Sequence, residues 1–321
     1  MTSTHQLLHL CVIGIEPVAE RVRALTLGLP EGGDLPDWQP GSHIDLHLPG
    51  DILRQYSLCS DPGERSRWRI AVLHEPDGRG GSVAVHEKIQ VGDMVQVSQP
   101  KDNFGYRPGA SDLLFVAGGI GITPMLPMVH AAARAGVNWH LVYLGRSREA
   151  MSFLPELADY GNRVTVHPSA TLGSMMLSGA LDELLATRLD DPEVYACGPE
   201  RMLEALAGWC SDERAHRLHV ERFTATATEP QAGDTAFTVE TSDGTEIEVA
   251  ADETILTALV RVGIPVLNSC QEGICGTCET VVLEGFPDHR DQLLSDEERA
   301  SNETMMVCVS RCKGKRLVLE L

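Results

Sequence analysis

Over the first third of the chain, apolar and polar positions alternate in short runs broken by turn residues. HIDLHL (43–48), RQYSLCS (54–60), WRIAVLHE (68–75) and DMVQVSQ (93–99) each follow a period of two, with Pro-Gly, Asp-Pro-Gly, Asp-Gly and Gly-Asp signals between them. That spacing predicts an antiparallel barrel or sandwich over residues 1–105. From 106 to 225 the pattern changes to apolar strands followed by helical periods. DLLFVAG precedes a helix over 124–135, WHLVYLG precedes a short one near FLPELADY, RVTVHPS leads to SGALDELLA, EVYACG to PERMLEALAGWC, and HRLHVERF closes the series. Such alternation implies a parallel sheet with helices on both faces. ATATEPQAGDTA (224–235) lacks large apolar residues and carries Pro and Gly, so a linker is expected at 226–235. In the last module, 236–321, FTVETSDGTEIEV reads as a hairpin around Ser-Asp-Gly, and ETILTALVRVG as a helix closed by Gly263.

Composition narrows the class. The 321 residues are 43% hydrophobic, which is enough for packed cores, and no apolar run reaches the length of a membrane span. The N-terminus, MTSTHQLLHLCV, has no basic region followed by an apolar one, so a cytoplasmic protein is expected. A formal net charge of −20 argues against nucleic acid as a partner, because phosphate would repel it. The same charge can steer a partner with a basic patch or simply keep the protein soluble.

Nine cysteines are present, and the last module holds a cluster. Cys270, Cys275 and Cys278 are spaced C-x4-C-x2-C, and Cys308 follows, which is the plant-type pattern for a [2Fe–2S] cluster. Soft thiolates suit iron, and Gly273 and Gly276 permit a tight loop whose amides point at sulfur. A zinc site is the competing reading; it would usually show two C-x2-C knuckles or histidines, and one knuckle is present. Cys308 is expected on a strand, MMVCVS, with Cys312 a bystander. Cys11, Cys59 and Cys210 read as small buried hydrophobes. No paired C-x-H and C-x2-H motifs occur, so the chain carries no Rieske centre of its own.

Two further sites follow from motif chemistry. Strand alternation sets Arg54, Tyr56 and Leu58 on one face and Gln55 and Ser57 on the other. Tyr56 can stack on a flat ring, Ser57 can donate to a reactive flavin nitrogen, and Arg54 can grip phosphate. Gly78-Arg79-Gly80-Gly81-Ser82 opens the helical pattern VAVHEKI, a natural phosphate site. Gly118-Gly119-Ile120-Gly121 follows a strand, with Thr123 as N-cap and Pro124 as the first helical residue, so a pyrophosphate could approach the backbone. Cys197-Gly198-Pro199 repeats the geometry. Arg146-Ser147-Arg148 lies where the choice between NADH and NADPH is made; an arginine there could take a 2′-phosphate or pair with a helix carboxylate.

In this order, Arg54-x-Tyr56-Ser57-Leu58, Gly80-Gly81-Ser82, Gly118-Gly119-Ile120-Gly121-Ile122-Thr123-Pro124, Cys197-Gly198-Pro199 and the cysteine loop resemble the reductase components of two-component Rieske oxygenases, the phthalate dioxygenase reductase and vanillate demethylase reductase group. The resemblance covers essentially the whole chain. It implies a ferredoxin-reductase-like flavin barrel, an α/β NAD domain, a β-grasp ferredoxin domain and FMN rather than FAD. By the same resemblance, Arg54, Gln55, Tyr56, Ser57, Ser82 and the backbone at Val72 and Leu73 hold FMN. Thr123 stands near flavin and nicotinamide, and Glu221 and Phe223 form a flavin-facing end segment, with Ser57 and Glu221 tuning the flavin. Where the family carries a basic residue, this chain has His74. The Arg146-Ser147 stretch is similar to that of NADH-using relatives. A monomer meeting a Rieske-type oxygenase transiently is expected.

The implied chemistry is the splitting of a hydride. NADH gives two electrons at once, a [2Fe–2S] cluster takes one, and a flavin can convert between them. A free-standing flavin or general acceptor reductase, or a non-enzymatic redox module, are the rival readings.

Overall fold

In a computed structural model, residues 7–321 are described apart from 51, 108, 110, 169–173, 211 and 224–232. The chain divides into two compact units, Met1–Phe223 and Thr224–Leu321.

The first unit opens with seven strands: β1 (Leu8–Ala19), β2 (Val22–Gly28), β3 (Ser42–Leu48), β4 (Ile52–Ser57), β5 (Trp68–Leu73), β6 (Met94–Val97) and β7 (Lys101–Asp102), with helix α1 (Gly81–Lys88) after β5. The long first two strands lie outside the runs picked out from the pattern. The order is β4-β3-β6-β1-β2-β5, all neighbours antiparallel, and β7 adds to β3. An antiparallel bridge from Leu58 to Ile70 joins the two outer strands, so the sheet closes into the expected barrel. Its interior is Leu10, Val12, Leu25, Leu27, Ile44, Leu46, Trp68 and Ile70, the inward positions of a period of two.

Five parallel strands follow, β8 (Leu113–Gly118), β9 (Trp139–Gly145), β10 (Val164–Pro168), β11 (Glu193–Cys197) and β12 (Leu218–Glu221), in the order β10-β9-β8-β11-β12. Helices α2 (Ile122–Ala135), α3 (Leu154–Ala158), α4 (Ser174–Thr187) and α5 (Glu200–Trp209) connect them. β8 is buried at every position, as a central parallel strand must be. Barrel and parallel sheet share an apolar interface across the expected boundary at 105/106. One apolar cluster holds Val22, Ala24, Cys59 and Ala71 of the barrel together with Phe115, Met125, Leu126 and Trp139. Arg69 of β5 adds a two-pronged ion pair with Glu156 of α3, at 2.7 and 2.9 Å.

The second unit contains β13 (Phe237–Thr241), β14 (Glu246–Val249), α6 (Ile255–Arg261), β15 (Glu279–Glu284), β16 (Pro287–Asp288), α7 (Asp296–Ser301), β17 (Thr304–Met306), β18 (Arg311–Cys312) and β19 (Arg316–Leu319). Its mixed sheet has the order β14-β13-β19-β15-β17, with β13 and β19 parallel and the β13–β14 hairpin turning at Gly244 as expected. α6 is capped by Thr254, whose hydroxyl accepts from the Thr257 amide, and it buries Ile255, Leu256, Ala258 and Leu259 on this sheet. The expected linker runs partly outside the described residues. Its end belongs to the fold: Asp234 takes both Nη atoms of Arg290, and the Thr235 carbonyl accepts from Arg311. No helix among the described residues is long and apolar enough to cross a membrane.

Candidate functional site

Between α6 and β15 the chain wraps into a loop. Gln271, Gly273 and Gly276 take φ of +56°, +71° and +74°. A side chain at 273 would meet Val309 Cγ2 at 2.5 Å and Asp291 Cα at 3.0 Å, so glycine is required where the loop rests on its neighbours. The Glu272 amide donates to Cys270 Sγ at 3.3 Å. Cys270, Cys275, Cys278 and Cys308 are all buried, between 2% and 8% exposed. Their sulfurs meet pairwise, Cys270 with Cys275 and Cys308, and Cys278 with Cys308. Contact with Cys275, then with Cys308, holds the Cys270 thiol far below its ordinary value, and Cys308 lowers Cys278. The same contacts push Cys275 and Cys308 upward. Four adjacent thiols therefore share protons and cannot all ionise unless cations replace those protons. Four buried sulfurs in a chain of pairs fit a group with two irons, each bound through sulfur.

One expectation about this loop is corrected. Cys308 is not on a strand: β17 ends at Met306, and the amides of Val309 and Ser310 turn back to the Met306 carbonyl. A strand would alternate its side chains across the sheet, whereas the turn carries Cys308 to the other three sulfurs. Cys312 stays apart, its sulfur accepting from the Gly314 amide at 3.2 Å. Cys59 and Cys210 are buried as expected, but Cys11 is only half-buried.

In the first unit, Arg54 lies across Gly81: a Cβ there would sit 2.5 Å from Arg54 Cγ. Its guanidinium donates to the carbonyls of Leu53 and Arg79, which holds it at the start of α1. That helix starts from Gly80 at φ +79° and has no side-chain cap and no acidic residue in its first turn. An uncapped N-terminus beside an arginine is an anion site. Ser82 Oγ accepts from the Glu75 amide at 3.0 Å, tying the turn after β5 to the helix. Tyr56 packs against the barrel core, and burial raises its hydroxyl pKa. Gln55 reaches the other way, its amide donating to Asp45 at 2.9 Å. Ser57 is 5% exposed and its Oγ has no hydrogen-bond partner. Such an orphan costs about 1–3 kcal/mol until a ligand completes it, so the residues present fit a flavin. The Val72 carbonyl lies 2.9 Å from His86 Nε2, and Leu73 follows at the strand end. His74 packs its ring 4.8 Å from His86 with a buried, unpartnered Nε2.

The carboxyl ends of the parallel strands form the third part, where ligands of open α/β sheets bind. Ala117, Cys197 and Glu221 lie in one row, paired in register. Here the glycines do different work from that expected. A Cβ at Gly121 would fall 2.2 Å from the Cys197 carbonyl oxygen, one at Gly118 would fall 2.6 Å from Pro199 Cδ, and one at Gly198 would fall 2.9 Å from Gly118 Cα. These three let the two β–α turns pack against each other. Only Gly119 has open space at its Cβ position, and it leaves the turn accessible to a ligand. Thr123 is not the N-cap: α2 starts at Ile122 from Gly121, and the buried Thr123 hydroxyl donates to the Ile120 carbonyl at 2.9 Å. Arg146 is exposed and Ser147 half-exposed in the bend after β9. Phe223 ends the unit with 39% exposure. Pattern reading missed Tyr143, whose hydroxyl donates to the Gly119 carbonyl at 3.2 Å and accepts from the Ser152 amide. As one apolar position in a buried strand it gives no distinguishing signal.

Two tests arise here. Arg54→Gln should weaken flavin retention about 10–100-fold, the loss of a charge-assisted contact, read by fluorescence of released flavin on dilution. Glu221 Oε2 is sealed and unpartnered, and burial, then Asp102, push its pKa up to about 8. The folded flavin-free protein therefore binds a proton that the unfolded chain has released, and stability falls as pH rises through this interval. Glu221→Gln should gain melting temperature over the parent, by more at about pH 8 than at about pH 5, in paired thermal melts.

Residues 9–106 match the oxidoreductase FAD-binding domain family, 115–207 the oxidoreductase NAD-binding domain family, and 237–313 the 2Fe-2S iron-sulfur cluster binding domain family. A carnitine monooxygenase reductase subunit from Escherichia coli (strain K12) is 40% identical over 99% of this chain and 100% of its own. The structure of phthalate dioxygenase reductase, described as modular for electron transfer from pyridine nucleotides to [2Fe-2S], superposes with TM-score 0.72 at 34% identity, covering 98% of each chain. An intact type IV self-sufficient cytochrome P450 monooxygenase contains a region 42% identical with TM-score 0.86; it covers 98% of this chain but only 41% of that polypeptide.

Proposed function

This chain belongs to the family of reductase components of oxygenase systems, the phthalate dioxygenase reductase kind, and from that premise we propose that it carries electrons from NADH through FMN to a [2Fe–2S] cluster and on to a separate Rieske-type oxygenase. It is an oxidoreductase with flavin, nicotinamide and 2Fe–2S modules. The observation that carries the finer reading is the set of four buried, mutually contacting cysteine sulfurs in a chain whose other unit has an orphaned serine hydroxyl on the same strand as the arginine of the anion site.

When bound, a flavin accepts hydride and releases electrons singly to a cluster that carries one at a time. The protein supplies position and electrostatics. Arg54 and the start of α1, with Gly80, Gly81 and Ser82, hold the phosphate. FMN rather than FAD follows the likeness to the phthalate dioxygenase reductase group, since a phosphate site beside the ring serves either flavin. Tyr56 carries the ring, and Ser57 donates to its reactive edge. The backbone at Gln55, Val72 and Leu73 supports that wall. Gly118, Gly119 and Gly121 with Cys197, Gly198 and Pro199 form the edge that receives the dinucleotide, with Thr123 near flavin and nicotinamide and Glu221 and Phe223 facing the flavin. Arg146 is exposed and Ser147 hydrogen-bonds the Glu149 carboxylate in the same bend, an acidic group near where a ribose hydroxyl would lie, in keeping with NADH. Cys270, Cys275, Cys278 and Cys308 ligate the irons. The net charge of −20 suits a brief encounter with an oxygenase that presents a basic face. A visible spectrum tests this directly: flavin bands with cluster absorbance, both bleached by NADH, are expected, and protein lacking iron after iron-replete anaerobic preparation would refute it.

A further inference from the structure

A hydride delivers two electrons and one proton to a flavin. The electrons leave one at a time toward the cluster, and the proton must leave by another route: one N–H bond on the flavin breaks, and one O–H bond forms on water outside. A buried site needs a path for that proton, and no residue assigned above provides one.

The outer face of the barrel holds a line of polar groups suited to the task. The β3–β4 register sets His43 opposite Ser57 and Asp45 opposite Gln55, and β7 sets Lys101 opposite His43 on the other side. Paired residues on neighbouring strands face the same side, with Cβ atoms roughly 4.5–5.5 Å apart. His43 is 4% exposed and its Nε2 has no partner, as Ser57 Oγ has none. The two atoms do not bond each other or any other described residue, but they stand on one face of neighbouring strands, at a spacing that a single water can bridge. Beyond them, Lys101 Nζ binds Asp45 Oδ2 at 2.9 Å, while Gln55 holds the other oxygen at 2.9 Å. The Lys101 side chain is 33% exposed, so the line reaches solvent.

We propose that His43, backed by Asp45 and Lys101, passes the proton from Ser57 at the flavin's reacting edge to solvent. The inference rests on the reading of Ser57 as the group facing that edge. The charged and titratable groups that act on His43 are Asp45 on its own strand and Lys101 on β7; β4 presents the uncharged Ser57 and Gln55. Burial, opposed by Asp45 and aided by Lys101, keeps the imidazole neutral, with its pKa lowered to about 4. A neutral imidazole accepts at one ring nitrogen while donating from the other, which is what a relay requires. A fixed positive charge at this position could not do so.

The test uses full-length protein loaded with flavin and cluster. In His43→Leu, anaerobic bleaching of flavin by NADH should keep its rate, because hydride transfer exchanges no proton with solvent. Reoxidation by a one-electron acceptor should slow about 10–100-fold, the scale of a lost acid–base group. Added imidazole should restore it, and the parent's solvent deuterium isotope effect on that phase should be altered. His43→Gln, which keeps polarity but cannot relay, should behave like His43→Leu; retained flavin content and bleaching rate report that both variants fold. In histidine-15N NMR spectra of flavin-free protein, the His43 ring should stay neutral through the mildly acidic range. Unchanged reoxidation and isotope effect in both His43 variants would overturn the relay, as would a ring that is protonated at neutral pH. Ser57→Ala separates the two readings. If it slows reoxidation while the His43 variants do not, the relay alone fails; if it alters neither bleaching nor reoxidation, the assignment of Ser57 itself fails.

Discussion

Cys275→Ser is expected to leave NADH-driven bleaching of the flavin unchanged and to abolish cytochrome c reduction. Cys275 is 5% exposed and in contact with Cys270, so its replacement removes one of the four sulfurs, at the end of the contacting set. A serine hydroxyl does not ionise at neutral pH and is a poor soft ligand, so the group that passes electrons singly should be lost. Hydride transfer depends on residues of Met1–Phe223, which form a compact unit with their own apolar clusters, and it should survive even if the last unit is weakened. Stopped-flow absorbance for the first reaction and steady-state cytochrome c reduction for the second give the comparison. Loss of both would contradict the order of electron flow, and retention of both would show that electrons leave from the flavin directly.

Gly121→Ala is expected to have the second largest effect. The added carbon would lie 2.2 Å from the Cys197 carbonyl oxygen and 2.5 Å from its carbon, both backbone atoms that cannot swing away. The β8–α2 and β11–α5 turns would have to part, at about 1–3 kcal/mol for overpacking. The edge they form together would then lose its shape. The apparent affinity for NADH in flavin bleaching should fall about 10–100-fold, with the flavin content of the purified protein retained, because the Arg54–Ser82 region is untouched. Gly119→Ala is the control. Nothing lies within 4 Å of its Cβ position, and its cost is confined to a φ of +56°. If Gly121→Ala bound NADH like the parent, the packing role assigned to Gly121 would be wrong.

The residues that carried most information were those whose chemistry has few structural substitutes. Cys270, Cys275 and Cys278 at fixed spacing could be read from sequence, and so could the period-two runs of the barrel and the β–α turns at Gly118 and Cys197. Positions that depend on packing were misread. Thr123 looks like a cap because threonine favours that role, yet the glycine turn lets the helix begin two residues earlier and leaves the hydroxyl inside it. Cys308 looks like a strand residue because its neighbours are apolar, yet those apolar residues fill the core beneath a turn. Gly118, Gly121 and Gly198 suggest ligand approach, but their neighbours are one another's turns, contacts that depend on the fold. In HIDLHL, His43 and Asp45 occupy the positions that alternation assigns to solvent. They are buried, with Lys101 of β7 paired to His43 and both Lys101 and Gln55 bonded to Asp45. The change of texture at 105/106 marks the passage from barrel to parallel sheet, and one apolar cluster packs the two together.

The most direct measurement is an anaerobic titration of flavin- and iron-loaded protein with NADH, followed by visible absorbance and electron paramagnetic resonance together. The account expects flavin absorbance to bleach and a paramagnetic reduced [2Fe–2S] signal to grow in the same titration, both missing their partner's contribution only when Cys275 is replaced or flavin withheld. A flavin that bleaches while the cluster stays oxidised, or metal analysis that finds zinc in the cysteine loop, would contradict it.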